Sequence, residues 1–459
     1  MYFQQFYLTC LSHASYMLGS EGEACVVDPQ RDVSLYLDEA AKQGLKIKHI
    51  IETHLHADFV SGHIELAERT GAKIYLGAAV ESPFPHVAVH DGDEIRMGRA
   101  ILRFLETPGH TVESVSIVLI DLDRSDQPWA VLTGDTLFIG DVGRPDLSKD
   151  KTPQELAAML FDSLHGKLLK LGDDVEVYPA HGAGSLCGKQ MRPERQSTIG
   201  RERATNYALQ PRSKDEFVQL LTAELPERPG YFAADAELNR LGAHPLAELQ
   251  PLTGLSPAEV LERRQSGDVV LDTRPAVQFG AGHVPGAVNI PLTGQYASTA
   301  GALLGLDREI VLVAEDEGAV EESRLRLARV GIENVAGFLK GGMPAWAAAG
   351  QPAAQIVQIP VDELKRELEA DASSIQVVDV RNKSEWGGGH IATALHKPLA
   401  QLESLLGDLD HTRPIVVHCK GGYRSAVACS LIQRAGFDNV ANLIGGLDAW
   451  QSFGLPVAS

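Results

Sequence analysis

The sequence predicts an α/β multidomain chain: a layered sandwich of strands with helices outside, followed by two copies of a smaller α/β domain with a parallel sheet. Three observations carry this prediction. The chain has 459 residues, enough for about two to four domains at roughly 100–200 residues each. Phrases of its C-terminal half recur at a fixed interval, which marks a repeated unit. Short β-branched runs alternate with helical patterns, as parallel strands covered by helices require.

The N-terminal 250 residues do not repeat. Strand-like runs fall at 24–27, 47–52, 101–106, 115–120, 130–132 and 175–178, and helical patterns at 33–43, 62–69 and 153–164. Many strands with fewer helices suggest a sandwich whose helices lie outside. A polar, Pro-punctuated segment over 210–250 leads into the repeats. There, Asp272-Thr273-Arg274, Gly282-His283 and Pro291-Leu292 return 107 positions later as Asp379-Val380-Arg381, Gly389-His390 and Pro398-Leu399. Gly331-Ile332-Glu333-Asn334-Val335 returns 105 positions later as Gly436-Phe437-Asp438-Asn439-Val440, and Gly341-Gly342 with Trp346 is answered by Gly445-Gly446 with Trp450. The expected domains are 1–250, 251–350 and 357–459, with a Gly/Pro/Ala linker over 350–354 between the copies.

Charge narrows the class of function. Lys+Arg number 41 and Asp+Glu 61, a net −20. Such a chain repels phosphate backbones and anionic lipid, so neither a nucleic acid nor a membrane is expected as partner. No apolar run approaches the ~20 residues of a membrane helix. Five scattered cysteines (Cys10, Cys25, Cys187, Cys419, Cys429) make no disulfide framework. The first basic residue is Arg31, so the N-terminus lacks the charged stretch of a signal peptide, and a cytoplasmic location is expected.

Two constellations carry chemistry. Thr53-His54-Leu55-His56-Ala57-Asp58-Phe59 follows directly on the run ending at Glu52. His110, Asp135 and His181 each lie just past the end of another apolar run, where loops from one sheet edge can meet. A lone histidine is most simply a surface or satisfied core residue; HxHxD with three strand-end partners reads as a metal site. In the second copy, the run 415–418 leads into Cys419-Lys420-Gly421-Gly422-Tyr423-Arg424-Ser425, and Ala426 is read as opening a helix. Loop N–H groups and a helix N-terminus aimed at Cys419 favour the thiolate, and Lys420 and Arg424 add positive charge for an anionic sulfur donor. The alternative is an inert core cysteine, which is the simplest reading of Cys429. Counting back 105 positions, the first copy has Ala314, Glu315, Asp316, Glu317 and Ala319 in place of Cys419, Lys420, Gly421, Gly422 and Arg424. It therefore lacks the nucleophile, and a structural role is expected for it, as a spacer between domains or an oligomer contact.

The phrases THLHADFVSGH, TPGHT, LTGDTLF and YPAHG, with this domain order, resemble persulfide dioxygenase–rhodanese fusions. Residues 1–250 resemble the metallo-β-lactamase superfamily, an αβ/βα sandwich with a metal site at one sheet edge. The two copies resemble rhodanese-like α/β domains, and C-x4-R matches the loop of single-domain rhodaneses. The resemblance implies one Fe(II) per chain on His54, His110 and Asp135, the two-histidine, one-carboxylate face that suits iron and O2. Dinuclear zinc hydrolases of the superfamily carry a histidine where this chain has Phe59, so a second ion should be weakly held. His56, Asp58 and His181 are then expected to orient ligands or act in catalysis, or to be remnants of a dinuclear ancestor. The implied reaction converts a small-thiol persulfide, O2 and water into thiol and sulfite, with thiosulfate made or used at Cys419; sulfide detoxification is the implied setting. Arg144 is a candidate grip for a carboxylate of the thiol carrier, or a turn arginine paired with Asp141 or Asp146. Cys187 is a candidate sulfur relay, or a small buried thiol. The second copy departs from the rhodanese pattern at Gly389-His390-Ile391-Ala392-Thr393-Ala394, where the first keeps Gly282-His283-Val284-Pro285-Gly286-Ala287. The competing reading is a mono- or dinuclear zinc thioester hydrolase of glyoxalase II type with appended rhodanese domains.

Overall fold

The structure, a computed structural model, describes residues 1–225 and 227–458. The chain divides into two compact units, Met1–Leu249 with Ala328–Gly331, and Gln250–Leu327 with Ile332–Ser459. The first unit opens with a six-stranded sheet of β1 (Tyr2–Leu8), β2 (His13–Ser20), β3 (Glu23–Val27), β4 (Lys46–Ile51), β5 (Lys73–Gly77) and β6 (Val87–Val89), paired in that order. A second sheet contains β7 (Glu94–Met97), β8 (Ala100–Glu106), β9 (Val115–Asp121) and β10 (Pro128–Gly134). After a small hairpin of β11 (Leu137–Phe138) and β12 (Asp141–Val142), β13 (Glu176–Pro179) and β14 (Ser197–Thr198) complete it in the order β14-β13-β10-β9-β8-β7.

Strand alternation places the layers. In β3, Cys25 and Val27 join Leu102, Phe104, Ile117 and Leu132 in the core between the sheets. Ala24 and Val26 point the other way, against Tyr36, Ala40 and Leu66 of the helices Ser34–Gln43 and His63–Thr70. On the outer face of the second sheet, Val118 and Val131 pack on Leu160 and Leu164 of the helix Pro153–Gly166. The result is the expected αβ/βα sandwich. The sequence reading did not register the hairpin of β1 and β2, and it took 210–250 as a connector. That connector holds the helices Lys214–Thr222 and Phe232–Leu241; Phe217, Leu221 and Phe232 are buried.

The second unit contains the same sheet twice. β15 (Gly254–Leu255), β16 (Val269–Asp272), β17 (Val288–Asn289), β18 (Ile310–Val313) and β19 (Val335–Leu339) pair in the order β15-β19-β18-β16-β17, all parallel. β20 (Val357–Ile359), β21 (Gln376–Asp379), β22 (Ala394–His396), β23 (Ile415–His418) and β24 (Val440–Leu443) repeat the order as β20-β24-β23-β21-β22, again parallel. The two copies pack together: the helix Tyr423–Arg434 lies against β17, and Asn289 N–H donates to Ser430 Oγ at 2.9 Å. The helix begins at Tyr423, three residues earlier than the sequence reading had it, because Gly422 takes φ +110° at the N-cap and turns the chain directly off the loop. Among the described residues, no helix is long and apolar enough to cross a membrane.

Candidate functional site

β8, β10 and β13 run in one direction, so Glu106, Gly134 and Pro179 end at one edge of the second sheet, and His110, Asp135 and His181 follow them. The loop carrying His54, His56 and Asp58 leaves β4 at Ile51. The ligand atoms of His54, His110 and Asp135 converge: Asp135 Oδ2 lies 3.8 Å from His54 Nε2 and 3.4 Å from His110 Nε2. All three side chains are buried, and among the described residues these three atoms have no hydrogen-bond partner. Three orphaned lone pairs at this separation fit one metal ion.

The remaining polar atoms hold the rings in place. His110 Nδ1–H donates to Arg144 O at 2.9 Å. Thr53 Oγ1 donates to Asp28 Oδ2 at 2.9 Å and so is left to accept His54 Nδ1–H at 3.0 Å. Both arrangements leave Nε2 as the bare lone pair. Burial first, and then neighbouring His56, pushes His54 well below its ordinary pKa; burial lowers His110 as well, so both imidazoles are neutral. Burial alone would raise Asp135, but His181 overrides it and holds the group a carboxylate. Gly143 is required beside them: a Cβ there would overlap the backbone oxygen of Asp135 and crowd His110 Nδ1.

His181 spans two acids, with Nδ1 2.7 Å from Asp135 Oδ1 and Nε2 2.9 Å from Asp58 Oδ2. Against the cost of burial, the two carboxylates raise it well above the ordinary histidine range. Cys187 is buried with its sulfur within 4.8 Å of ligand atoms of Asp58 and His181; burial first, then these acids, push its thiol up. His56, expected to orient ligands or to act in catalysis, sits among a different pair of acids. Its Nε2 faces Asp28 Oδ1 at 3.2 Å and Glu52 Oε2 at 3.3 Å, and despite burial this pair raises it to about 10. Arg144 takes the turn geometry, donating to Asp146 from Nε at 2.7 Å and Nη2 at 2.9 Å and to Leu186 O from Nη1 at 3.1 Å. Its guanidinium is closed on the protein rather than open to a carrier carboxylate. Phe59 packs on the rings of His13 and His56, at 4.1 and 4.4 Å between centroids.

Two supports escaped the sequence reading. Asp28 is one, although it too follows a strand end. The other is Asn239 on the helix Phe232–Leu241, whose Nδ2 donates to His56 O at 2.7 Å and Phe59 O at 2.8 Å while Oδ1 accepts Ser61 N–H.

In the second unit, Cys419 follows β23 and is buried, with Gly422 N–H donating to its sulfur at 3.1 Å and Ser425 Oγ at 3.6 Å. The Gly445-Gly446 turn lies beneath: Leu447 N–H donates to Cys419 O and Asp448 N–H to Lys420 O, and a Cβ on Gly446 would strike both oxygens. This explains why the glycine pair accompanies the loop. Lys420 is exposed, and Arg424 pairs with Glu385. In the first copy Ala314 follows β18, and the helix Glu317–Ala328 starts on the acidic stretch.

Residues 8–181 match the metallo-beta-lactamase superfamily, and residues 256–349 and 360–453 each match the rhodanese-like domain. The mitochondrial persulfide dioxygenase ETHE1 of Homo sapiens is 30% identical over 210 residues, 45% of this chain and 75% of that protein. This chain belongs to the metallo-β-lactamase superfamily, in a fusion with two rhodanese domains. A hydroxyacylglutathione hydrolase of Francisella tularensis subsp. novicida is 32% identical over 172 residues, 37% of this chain and 63% of its own length. The crystal structure of a metallo-beta-lactamase from Staphylococcus aureus subsp. aureus COL superposes with a TM-score of 0.66 at 33% identity, covering 74% of this fusion chain and 98% of its own.

Proposed function

We propose that the first unit is an iron-dependent persulfide dioxygenase and that Cys419 makes the second unit a sulfurtransferase. The observation that carries the reading is the set of three converging donors without a hydrogen-bond partner among the described residues, together with Phe59 where the resemblance puts a further histidine. His54, His110 and Asp135 would hold one Fe(II), leaving an open side. Bound there, Fe(II) supplies the one-electron chemistry by which O2 oxidises a sulfur anion. The net reaction is RSSH + O2 + H2O giving RSH, sulfite and two protons.

The protein's own part is positional. His181 fixes Asp135 through Oδ1, so that Oδ2 is the oxygen presented to the ligand set. Asp58 and Cys187, both buried beside His181, are the groups we assign to contact with the persulfide. At Cys419, the thiolate takes the outer sulfur of a donor, and the enzyme persulfide then passes it to sulfite: Cys–S–S⁻ + SO3²⁻ gives Cys–S⁻ + S2O3²⁻. Both half-reactions run in either direction. The first copy, lacking a cysteine, supports the second by packing on the helix after the Cys419 loop.

The test is oxygen uptake by the anaerobically iron-loaded chain with persulfides of several small thiols, run beside hydrolysis of a glutathione thioester. The expected result is O2 consumption with about one iron per chain. Two tightly bound zinc ions, thioester hydrolysis and no oxygen uptake would overturn the reading in favour of the zinc hydrolase.

A further inference from the structure

The Cys419 loop carries two basic residues in sequence, but the structure leaves only Lys420 with a free charge. Arg424 closes on Glu385 with both ends of its guanidinium, Nη1 to Oε2 at 2.7 Å and Nη2 to Oε1 at 2.8 Å. Glu385 is fixed from three sides. It occupies the third position of the helix Lys383–Gly387 in a capping box with Asn382. Its carbonyl accepts from Arg381 Nη1 at 3.0 Å, and Arg381 is itself locked on buried Asp379. Its carboxylate is then committed to Arg424, and although burial opposes it, that partner holds the group below its ordinary range. A second acid, Asp448, stands under the loop, its carboxylate 4.0 Å from where a side chain on Gly421 would begin. Glu385 thus cancels the charge of Arg424, with Gly422 N–H and Ser425 Oγ aimed at the sulfur.

The first copy has lost this pair as a unit. Four residues after Arg274, as Glu385 stands four after Arg381, it has Gln278, and at the position of Arg424 it has Ala319. Gln278 Nε2 donates instead to Glu315. With no arginine to neutralise, the acid is gone too.

We propose that Glu385 is a specificity-determining residue: by neutralising Arg424 it fits the Cys419 loop to a sulfur donor of low charge at the reacting sulfur, a small-thiol persulfide, over dianionic thiosulfate. The proposal rests on the sulfurtransferase reading of Cys419 and names its donor class. In the favoured step, Cys–S⁻ + RSSH gives Cys–S–SH + RS⁻: the Cys419–sulfur bond forms, the donor S–S bond breaks, and the thiolate leaves with the electron pair. The disfavoured step, Cys–S⁻ + S2O3²⁻ giving Cys–S–S⁻ + SO3²⁻, brings two negative charges to a loop whose Arg424 is already neutralised by Glu385.

Glu385→Gln is the test, because glutamine also completes a capping box and already occupies this position in the first copy. In the full iron-loaded chain, the rates at which iodoacetate (an anion) and iodoacetamide (neutral) alkylate Cys419 are followed by peptide mass. Their ratio reports the local potential and cancels any change in thiolate population. Unmasking Arg424 is expected to raise the iodoacetate-to-iodoacetamide ratio roughly fivefold to tenfold. The KM for thiosulfate should fall by a similar factor, with little change for a small-thiol persulfide, and Glu385→Asp should return both toward wild type. Arg424→Gln should move the ratio below wild type, and Glu385→Gln with Arg424→Gln should restore it. A ratio unchanged or lowered in Glu385→Gln overturns the proposal, and should that variant not fold, a ratio unmoved by Arg424→Gln does the same. Alkylation needs no sulfur transfer, so the two failures are told apart: absence of transfer with every donor overturns the sulfurtransferase reading on which the proposal rests, whereas an unmoved ratio overturns the role of Glu385 alone.

Discussion

His181 Nδ1 lies 2.7 Å from Asp135 Oδ1, while Asp135 Oδ2 is the oxygen that His54 and His110 approach, at 3.8 and 3.4 Å. One carboxylate is thus divided between an orienting partner and the candidate metal. A carboxylate free to rotate would lose this assignment of its two oxygens. The same division makes His181 a bridge, since its other nitrogen reaches Asp58.

His56 should matter to folding. His56→Ala leaves Asp28 and Glu52 buried with no cation between them, and stability of the first unit should fall by about 3–5 kcal/mol. Urea unfolding of the wild type and variant checks this; a loss under about 1 kcal/mol would remove the charged triad from the account. The sign with pH follows from the raised value: the His56 contribution is complete below 6.5 and is lost as pH rises through about 10.

Gly143→Ala should damage metal binding without unfolding the chain. The added methyl displaces the Asp135 backbone, which positions the converging carboxylate, and the His110 ring, which carries a converging nitrogen. Iron affinity should drop about 10–100-fold, as for other disturbances just behind a ligand set. Iron content after desalting, beside an unchanged far-UV spectrum, is the measurement; wild-type occupancy would contradict it.

Cys419→Ser should abolish sulfur transfer while oxygen uptake with a supplied persulfide persists. Cys419 sits in a loop of the second unit, and the converging donors sit in the first. Collapse of oxygen uptake in a correctly folded variant would show that the two chemistries are not independent.

Ala314→Cys placed in a Cys419→Ser background should not revive transfer from thiosulfate. A thiol at 314 meets Glu315, Asp316 and Glu317 where the second copy has Lys420 and two glycines. Like charges disfavour the thiolate and repel the anionic donor. Recovery of a sizeable fraction of wild-type activity would show that the acidic stretch is no obstacle.

The sequence by itself determined the repeat, the layered first domain and the strand-end addresses of His54, His110, Asp135, His181 and Cys419. Those are local properties: an apolar run, its last residue and the turn after it lie within a few positions of one another. What only the tertiary structure decided is where each polar atom points. Asp28 reaches Thr53 across 25 positions, His181 reaches Asp135 across 46, and Asn239 reaches His56 across 183. Such pairs leave no periodicity in the chain. The charge on His56 and the neutralised Arg424 depend on acids that spacing does not bring near, Asp28 for one and Glu385 for the other. A side chain's type is written at its own position, but its partner, and hence its charge and direction, is chosen when distant strands and helices close on one buried volume.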